Sequence, residues 1–285
     1  MKRTVSTDLA KQMKSSNDPQ GMYILGPDGK SYGFTNDHYP DDIQRFINSC
    51  LAKFKKDPPA KVSFTKEELN SSFSHQPPPG AAVVRVFARI WPLPKQCWGL
   101  NRGAGRDFLW LYPEELKYLA HTPAGKDGAI KLPVALFGRM VRFHLLDDVR
   151  GTPDMWRLSE IRSMNFKAKV VGDAKSAARQ ITFSGEYSLK TGSGGRGYKG
   201  KINGKTEVSA SDNSLVKFRA YSDGLAWGRG TYTPFPPDGK YGLHIGFVEA
   251  KDEIARVVPP EAVSTANNDR EYHNPSFEGG GDRGK

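Results

Sequence analysis

The region from Met164 to Phe247 alternates between apolar and polar residues with a period of two. The apolar members of its clearest runs are Met164, Phe166, Ala168 and Val170, then Ile181, Phe183 and Tyr187, and finally Tyr241, Leu243, Ile245 and Phe247. Strict alternation is typical of strands that bury one face and expose the other. The sequence therefore predicts an antiparallel β domain over residues 158–256, a barrel or half-barrel made by a meander of adjacent strands.

The preceding segment, residues 81–157, combines strands and helices. The apolar run 82–90 predicts a strand, and 108–111 predicts another that leads into a helix beginning at Pro113. A second helix is predicted over 132–149 because a Gly-Thr-Pro turn follows it. We expect the part of this αβ segment from Arg106 to Trp156 to pack on the β domain as a helical lid or adaptor.

A small separate unit is predicted over residues 21–57. A strand at 22–25, a Gly-Pro-Asp-Gly turn and a return strand at 31–34 form a hairpin, and an amphipathic helix follows from Pro40. Together with the β domain, this unit makes the predicted fold class α+β.

The remaining segments are predicted to be connectors or unstructured. Prolines and polar residues mark 58–80 as a semi-rigid linker. Residues 1–20 have only weak periodicity and are expected to be a flexible arm. Residues 257–285 lose the apolar positions and are expected to be a disordered tail.

The hairpin and helix over residues 18–56 resemble the C-terminal half of a thioredoxin fold. The likeness rests on strand, Pro-Asp-Gly-Lys turn, strand and helix in this order, with Pro19 near the place where that family has a cis-proline. Upstream residues leave no room for the first strand-helix-strand or for a CxxC dithiol. The resemblance implies either a remnant without redox chemistry or a redox accessory protein whose true start lies upstream.

The whole chain resembles bacterial proteins that join a thioredoxin-like front to a β-rich C-terminal domain. The residues that carry this likeness are Asp107–Leu111, Arg142–Trp156 and Gly224–Gly230. The resemblance implies no particular activity, although related chains with a complete front would be exported. We therefore expect a cytoplasmic protein from the sequence as written, and a periplasmic or exported one if its start lies upstream.

The chain is basic, with a formal net charge of +11 over 285 residues. Such an excess favours polyanionic partners, but it is spread along the chain rather than gathered in one block.

The sequence lacks the run of about eighteen apolar residues that a transmembrane helix needs. Its two cysteines, Cys50 and Cys97, have neither CxxC nor zinc-type spacing, so the redox state stays open.

Two motifs have more ordinary explanations than a functional site. Gly192–Gly197 matches GxGxxG, but a predicted strand rather than a helix follows, so we interpret it as a hairpin loop. His144 and Asp148 lie four residues apart, and we expect a charge pair at a helix end rather than a metal site. We predict no catalytic residue, no metal ligand and no cofactor, and we lean against an enzyme.

Two groups of residues are candidates for binding. Trp91 and Trp98 lie with Arg102 in a loop that can form a contact surface. The second group lies at the solvent-exposed positions of predicted strands and consists of Lys167, Lys169, Lys199, Lys201, Lys217 and Arg219. If those strands are neighbours, these residues would form a basic face with Tyr221. Single-stranded nucleic acid needs several aromatic side chains on such a face, so we expect a solvated lysine face instead.

Three function hypotheses follow. We favour a non-catalytic binding or accessory protein whose β domain cups a small-molecule ligand or a protein partner. The first alternative is a redox accessory protein derived from the thioredoxin fold. The second is a basic nucleic-acid-binding protein, although the sequence alone does not favour nucleic acid as the partner.

Overall fold

The chain divides into two compact units, residues 1–71 and 72–285, and the division lies within the predicted linker. The computed structural model describes residues 21–37, 39–63, 76–93, 104–172, 176–233, 235–264 and 266–273. The predicted arm at residues 1–20 lies outside this description. None of the described helices combines the length and the apolar character needed to cross a bilayer.

The N-terminal unit is a hairpin followed by a helix. Strands β1 (Met22–Leu25) and β2 (Ser31–Thr35) pair antiparallel, and helix α1 spans Pro40–Lys56. The helix contacts β2 through Cys50, whose buried thiol donates to the Tyr32 carbonyl at 3.5 Å. Other apolar residues on α1 remain exposed: Ile47, Leu51 and Phe54. The predicted hairpin and helix are confirmed, while likeness to thioredoxin stays a prediction.

The C-terminal unit is built on a sheet of eight antiparallel strands in the order β4-β3-β10-β9-β8-β7-β6-β5. Their bounds are β3 Ala82–Ile90, β4 Ala104–Leu111, β5 Ala129–Ile130, β6 Ile161–Val171, β7 Ala178–Lys190, β8 Arg196–Ser209, β9 Leu215–Gly228 and β10 Lys240–Glu249. Strands β5 to β10 follow one another as the predicted meander. The sheet is open, with β4 and β5 at its edges. The α+β class is thus confirmed, without closure into a barrel.

The β3–β4 hairpin extends the meander from its last strand. Strand β10 pairs with β9 on one side and with β3 on the other, so that Phe247 lies opposite both Ala220 and Val86. The segments predicted as separate αβ and β domains, 81–157 and 158–256, therefore share one sheet. Sequence periodicity identifies strands but not their partners, and this pairing joins distant parts of the chain.

One face of the sheet forms the main hydrophobic core. Helices α2 (Pro113–His121) and α3 (Val134–Arg139) add Leu116, Leu119, Leu136 and Phe137 to it. The sheet contributes Val84, Val86, Ile181, Phe183, Tyr187, Tyr198, Ile202, Phe218, Leu243, Ile245 and Phe247. This inner face is where we expected a ligand to be cupped. Near Tyr198, Ala226 and Leu243 the remaining space is about 20 Å³, room for roughly one water.

The second predicted helix, 132–149, is much shorter in the structure. Helix α3 ends at Arg139 and continues as a π-helical turn, Met140–His144, in which the Leu145 amide donates to the Met140 carbonyl. All five residues of the turn are buried, whereas an amphipathic helix would expose some. The wider turn is associated with two buried polar contacts, from Arg142 to the Trp156 carbonyl and from His144 to Asp107. In the described part of the chain, short 3-10 helices also occur at Lys126–Gly128 and Leu158–Glu160.

The C-terminal segment contains helices as far as it is described. Helix α4 spans Ile254–Val257, and α5 (Glu261–Ser264) and α6 (Ala266–His273) lie within the segment 257–285 that was expected to be a disordered tail. Tyr272 is fully buried and packs edge-on against Trp110 at 6.1 Å between ring centroids. Tyr272, Ala262 and Val263 are buried and anchor this segment, although its average hydropathy is low.

We expect Tyr272→Phe to lower the free energy of unfolding by about 1–3 kcal/mol. The Tyr272 hydroxyl accepts from the Trp110 amide at 3.1 Å and lies 3.2 Å from Nε2 of His144. Phenylalanine keeps the ring and leaves both buried polar groups without this partner. Urea unfolding measures the loss, and Tyr118→Phe on the exposed side of α2 is the matched control. A loss no larger than that of the control would contradict the role of the hydroxyl.

Candidate functional site

The outer face of the sheet is exposed over six neighbouring strands. Register places one row of residues across it, running from Phe87 on β3 through Gly246, Tyr221, Asn203 and Ser184 to Lys167 on β6. Because side chains alternate along each strand, residues two positions away in either direction share this face. The strands that carry the predicted lysine positions are therefore neighbours, as the basic-face hypothesis requires.

Basic residues outnumber acidic ones on this outer face. The basic positions include Arg85, Arg89, Lys167, Lys169, Lys199, Lys201, Lys205, Lys217 and Arg219, and the acidic ones are Glu186, Glu207 and Asp223. Each acid has a cationic or titratable neighbour. Lys201 Nζ lies 2.9 Å from Glu186, Lys205 Nζ lies 3.0 Å from Glu207, and His244 Nδ1 lies 3.2 Å from Asp223. The acids therefore offset only part of the positive charge.

A groove of about 430 Å³ crosses strands β3, β10 and β9 on this face. It is lined by Phe87, Arg89, Trp91, Tyr221, His244 and Gly246. Large rings here are exposed to solvent: Trp91 by 57 %, Tyr221 by 50 % and Phe87 by 42 %. Exposed aromatic side chains that line a common groove are typical of a binding surface rather than of a core.

Contacts among the groove residues hold two of its rings in place. The rings of Tyr221 and His244 are stacked, with centroids 5.9 Å apart and planes 13° from parallel, and the Tyr221 hydroxyl lies 2.6 Å from Nδ1 of His244. Partial burial, with a smaller effect of Asp223, raises the pKa of Tyr221. The Arg89 guanidinium lies 5.3 Å from the centre of the Trp91 ring. Gly246 adds no side chain between Phe87 and Tyr221.

A second groove, of about 550 Å³, continues the same face toward the β6 side of the sheet. Its lining includes Lys167, Lys169, Ser184 and Asn203. Asn203 pairs across strands with Tyr221, so the aromatic groove and this more polar one are adjacent. The outer face thus offers aromatic rings at one end and cations with neutral hydrogen-bonding groups at the other.

The structure brings together most of the residues predicted for binding. Trp91, Lys199, Lys201, Lys217, Arg219 and Tyr221 all belong to the outer face or the groove at its edge. Trp98 and Arg102 lie outside the described residues. Sequence reasoning missed Phe87, Arg89 and His244. Alternation within 82–90 was the available signal, since Arg85, Phe87 and Arg89 share one face, but this run was predicted only as a strand.

The two weaker motifs form neither a dinucleotide site nor a metal site among the described residues. Gly192–Gly197 lies at the turn between β7 and β8, as the hairpin interpretation predicted. His144 contacts Asp107, with Nδ1 and Oδ2 2.8 Å apart, and not Asp148 as predicted, because the helical segment ends at His144 and Asp148 lies beyond it. Within the described residues, no group of histidine, cysteine and acidic side chains is arranged to hold a metal ion.

Comparisons with known proteins provide no further guide to this site. No family model matches the chain, and neither a curated protein nor a solved structure matches it. We therefore infer the function from the geometry of the outer face.

Proposed function

We propose that this chain is a binding protein whose ligand is a single-stranded nucleic acid held on the outer face of the eight-stranded sheet. The observation that carries the proposal is the shared exposed face of Phe87, Trp91 and Tyr221 with an excess of lysine and arginine. From sequence alone this function lacked the several aromatic side chains that it needs. The aromatic groove supplies them beside the predicted basic face.

Stacking and charge would contribute separately to such binding. Bases of any sequence stack on exposed rings, and each stacked base contributes about 1–3 kcal/mol. Cations such as Lys199, Lys217 and Arg219 would attract phosphates and release counterions. Six strands at a spacing of about 4.8 Å make a path of roughly 24 Å, long enough for about four extended nucleotides.

The geometry favours a single strand over a duplex. Stacking on Phe87, Trp91 or Tyr221 requires an accessible base face, which a paired and stacked helix conceals. Neutral polar groups at Ser184 and Asn203 lie in the second groove and can contact sugar or base edges. Comparing the affinities for RNA and DNA oligonucleotides shows which of the two these contacts prefer.

We expect Trp91→Ala and Tyr221→Ala each to weaken binding of a fluorescent single-stranded oligonucleotide by about tenfold or more, because each removes one stacking platform. Fluorescence anisotropy with RNA, DNA and a matching duplex measures affinity and preference. Tyr232→Ala is the control, since Tyr232 is 67 % exposed but lies in the connection between β9 and β10, away from the groove. Absence of single-strand binding by the unaltered protein would overturn the proposal, and so would equal losses in all three variants.

The charge contribution has its own signature in the same assay. Replacing Lys199 and Arg219 by glutamine should reduce the salt dependence of single-strand binding by about one to one and a half units of slope. Lys117→Gln, at an exposed position of α2, removes a positive charge away from the outer face and should leave the slope unchanged. An acidic protein partner would instead bind the basic residues without needing the three aromatic side chains.

The redox hypothesis gains less from the described residues. Cys50 is the cysteine among them, and its thiol is buried against the Tyr32 carbonyl. Disulfide exchange needs an accessible thiolate and a resolving partner. Cys97 lies outside the described residues. The described contacts therefore support nucleic-acid binding more than disulfide exchange.

A further inference from the structure

A further cavity, of about 590 Å³, lies beside edge strand β4 and is separate from both grooves of the outer face. One part of its wall is apolar and includes Val86, Phe143, Leu146 and Met155. The other part carries Asp107, His144, Asp148 and Glu261. Such a mixture of apolar wall and convergent polar groups is typical of a small-molecule site.

Asp107 and His144 already have their hydrogen bonds within the protein. Asp107 Oδ1 accepts from the backbone amides of Phe108 at 2.7 Å and Glu261 at 2.9 Å, and its Oδ2 lies 2.8 Å from Nδ1 of His144. Nε2 of His144 lies 3.2 Å from the Tyr272 hydroxyl. These two side chains fix the wall of the cavity and leave little capacity for another partner.

Asp148 differs from its neighbours in this respect. Its Oδ1 is inaccessible to solvent and has no hydrogen-bond partner among the described residues. The carboxyl group packs on Gly105 of β4, where a Cβ atom would lie only 2.0 Å from Oδ1. Burial, followed by the charges of Asp107 and Asp147, raises the pKa of this carboxyl to about 8. A carboxyl group with one oxygen buried and unpartnered is costly to the free protein, and a cation in the cavity that Asp148 lines can stabilise its charged form.

Charge indicates the kind of ligand that fits. Asp107, Asp148 and Glu261 contribute three carboxyl groups, and exposed Arg106 is the one lysine or arginine among the described lining residues. Described side chains form no cluster suited to a metal ion, while the apolar wall can cover a hydrocarbon chain. We propose that this cavity binds a small organic cation, an aliphatic amine whose ammonium group pairs with the Asp148 carboxylate.

Binding would be coupled to proton release. An ammonium group pairs with an ionised carboxylate, so a protonated Asp148 must give its proton to solvent when the amine enters. The free protein holds that proton below about pH 8. Apparent affinity should therefore rise up to about tenfold per pH unit as pH increases toward that value and level off above it.

Titration calorimetry with putrescine tests the proposal on the full chain. Putrescine carries ammonium groups on a four-carbon chain, and 1,4-butanediol has nearly the same shape without charge. We expect saturable binding of putrescine, little binding of butanediol, and release of up to one proton when heats are compared between buffers of different ionisation enthalpy near pH 7. Failure of putrescine to bind, equal binding of butanediol, or binding without proton release would each overturn the proposal.

Asp148→Asn assigns the effect to this cavity. We expect the variant to lose at least tenfold in putrescine affinity and to release no proton on any residual binding. Retention of single-strand binding by the same sample shows that the outer face is still folded, and Asp238→Asn, in the loop before β10, controls for the same substitution outside the cavity. Unchanged putrescine binding by Asp148→Asn would contradict the assignment, whatever the outcome for nucleic acid.

Discussion

Replacing Arg139 by methionine should lower the free energy of unfolding by about 3–5 kcal/mol, among the largest losses expected of a single substitution in this chain. Arg139 is completely buried, and its Nη2 lies 2.5 Å from Oε2 of Glu115 on α2. The guanidinium also stacks 4.3 Å from the centre of the Tyr112 ring. Removing the cation leaves the Glu115 carboxylate buried without a counter-charge.

The companion substitution separates the ion pair from general packing. Arg139→Met combined with Glu115→Gln removes both charges but keeps an amide oxygen that can accept from the Tyr112 amide, as Glu115 Oε2 does at 2.9 Å. We expect this double variant to recover about 2 kcal/mol or more relative to Arg139→Met alone. Chemical denaturation of the unaltered chain, Arg139→Met, Glu115→Gln and the double variant completes this double-mutant cycle. Equal stability of the single and double variants would show that packing, rather than charge, causes the loss.

The second large effect is a dependence of stability on pH that originates at Asp148. The pKa of this carboxyl is about 8 in the folded chain against an ordinary value of 3.8, because burial disfavours its charged form. Between these values the folded state holds a proton that the unfolded state lacks. The stabilisation from Asp148 is therefore complete below about pH 4 and lost as pH rises toward 8, with a slope approaching 1.4 kcal/mol per pH unit for this group alone.

Urea unfolding of the unaltered chain and of Asp148→Asn between about pH 5 and pH 9 measures this slope by difference. The groups that face Asp148 are Asp107 from β4, Asp147 from its own segment and Glu261 from α5, with His144 and Arg106 also on the cavity wall. Glu261 has a raised pKa from burial and should add a smaller effect of the same sign in both proteins. Parallel curves for the two proteins would contradict the assignment to Asp148.

The sequence predicted the strands because their alternation reports a local property. Met164 to Val170 and Tyr241 to Phe247 have polar and apolar residues in strict order, and each run forms the strand expected. Alternation cannot reveal partners, so the pairing of β3 with β10 was missed. The run 82–90 was predicted as a strand without assigning its faces, so the exposed position of Phe87 was not foreseen.

The candidate site depended on distances that the sequence does not contain. Tyr221 and the lysines of β8 and β9 were identified from their wet-side positions, but the meeting of Phe87 and Trp91 with Tyr221 requires the β3–β10 pairing. Asp148 was noted for its spacing from His144, and its buried environment follows only from packing against Gly105. Local patterns thus located surface residues, whereas long-range pairing decided which of them meet.

The pairing of Ile90 with Leu243 has a consequence for how the protein is made. More than half of the chain separates these residues, so a ribosome releases the β3–β4 hairpin long before β10 exists. Until then the apolar side of the hairpin lacks its permanent cover, and contacts this far apart in sequence form slowly. We expect the C-terminal unit to remain incomplete during translation and to depend on chaperone protection until its last strand emerges.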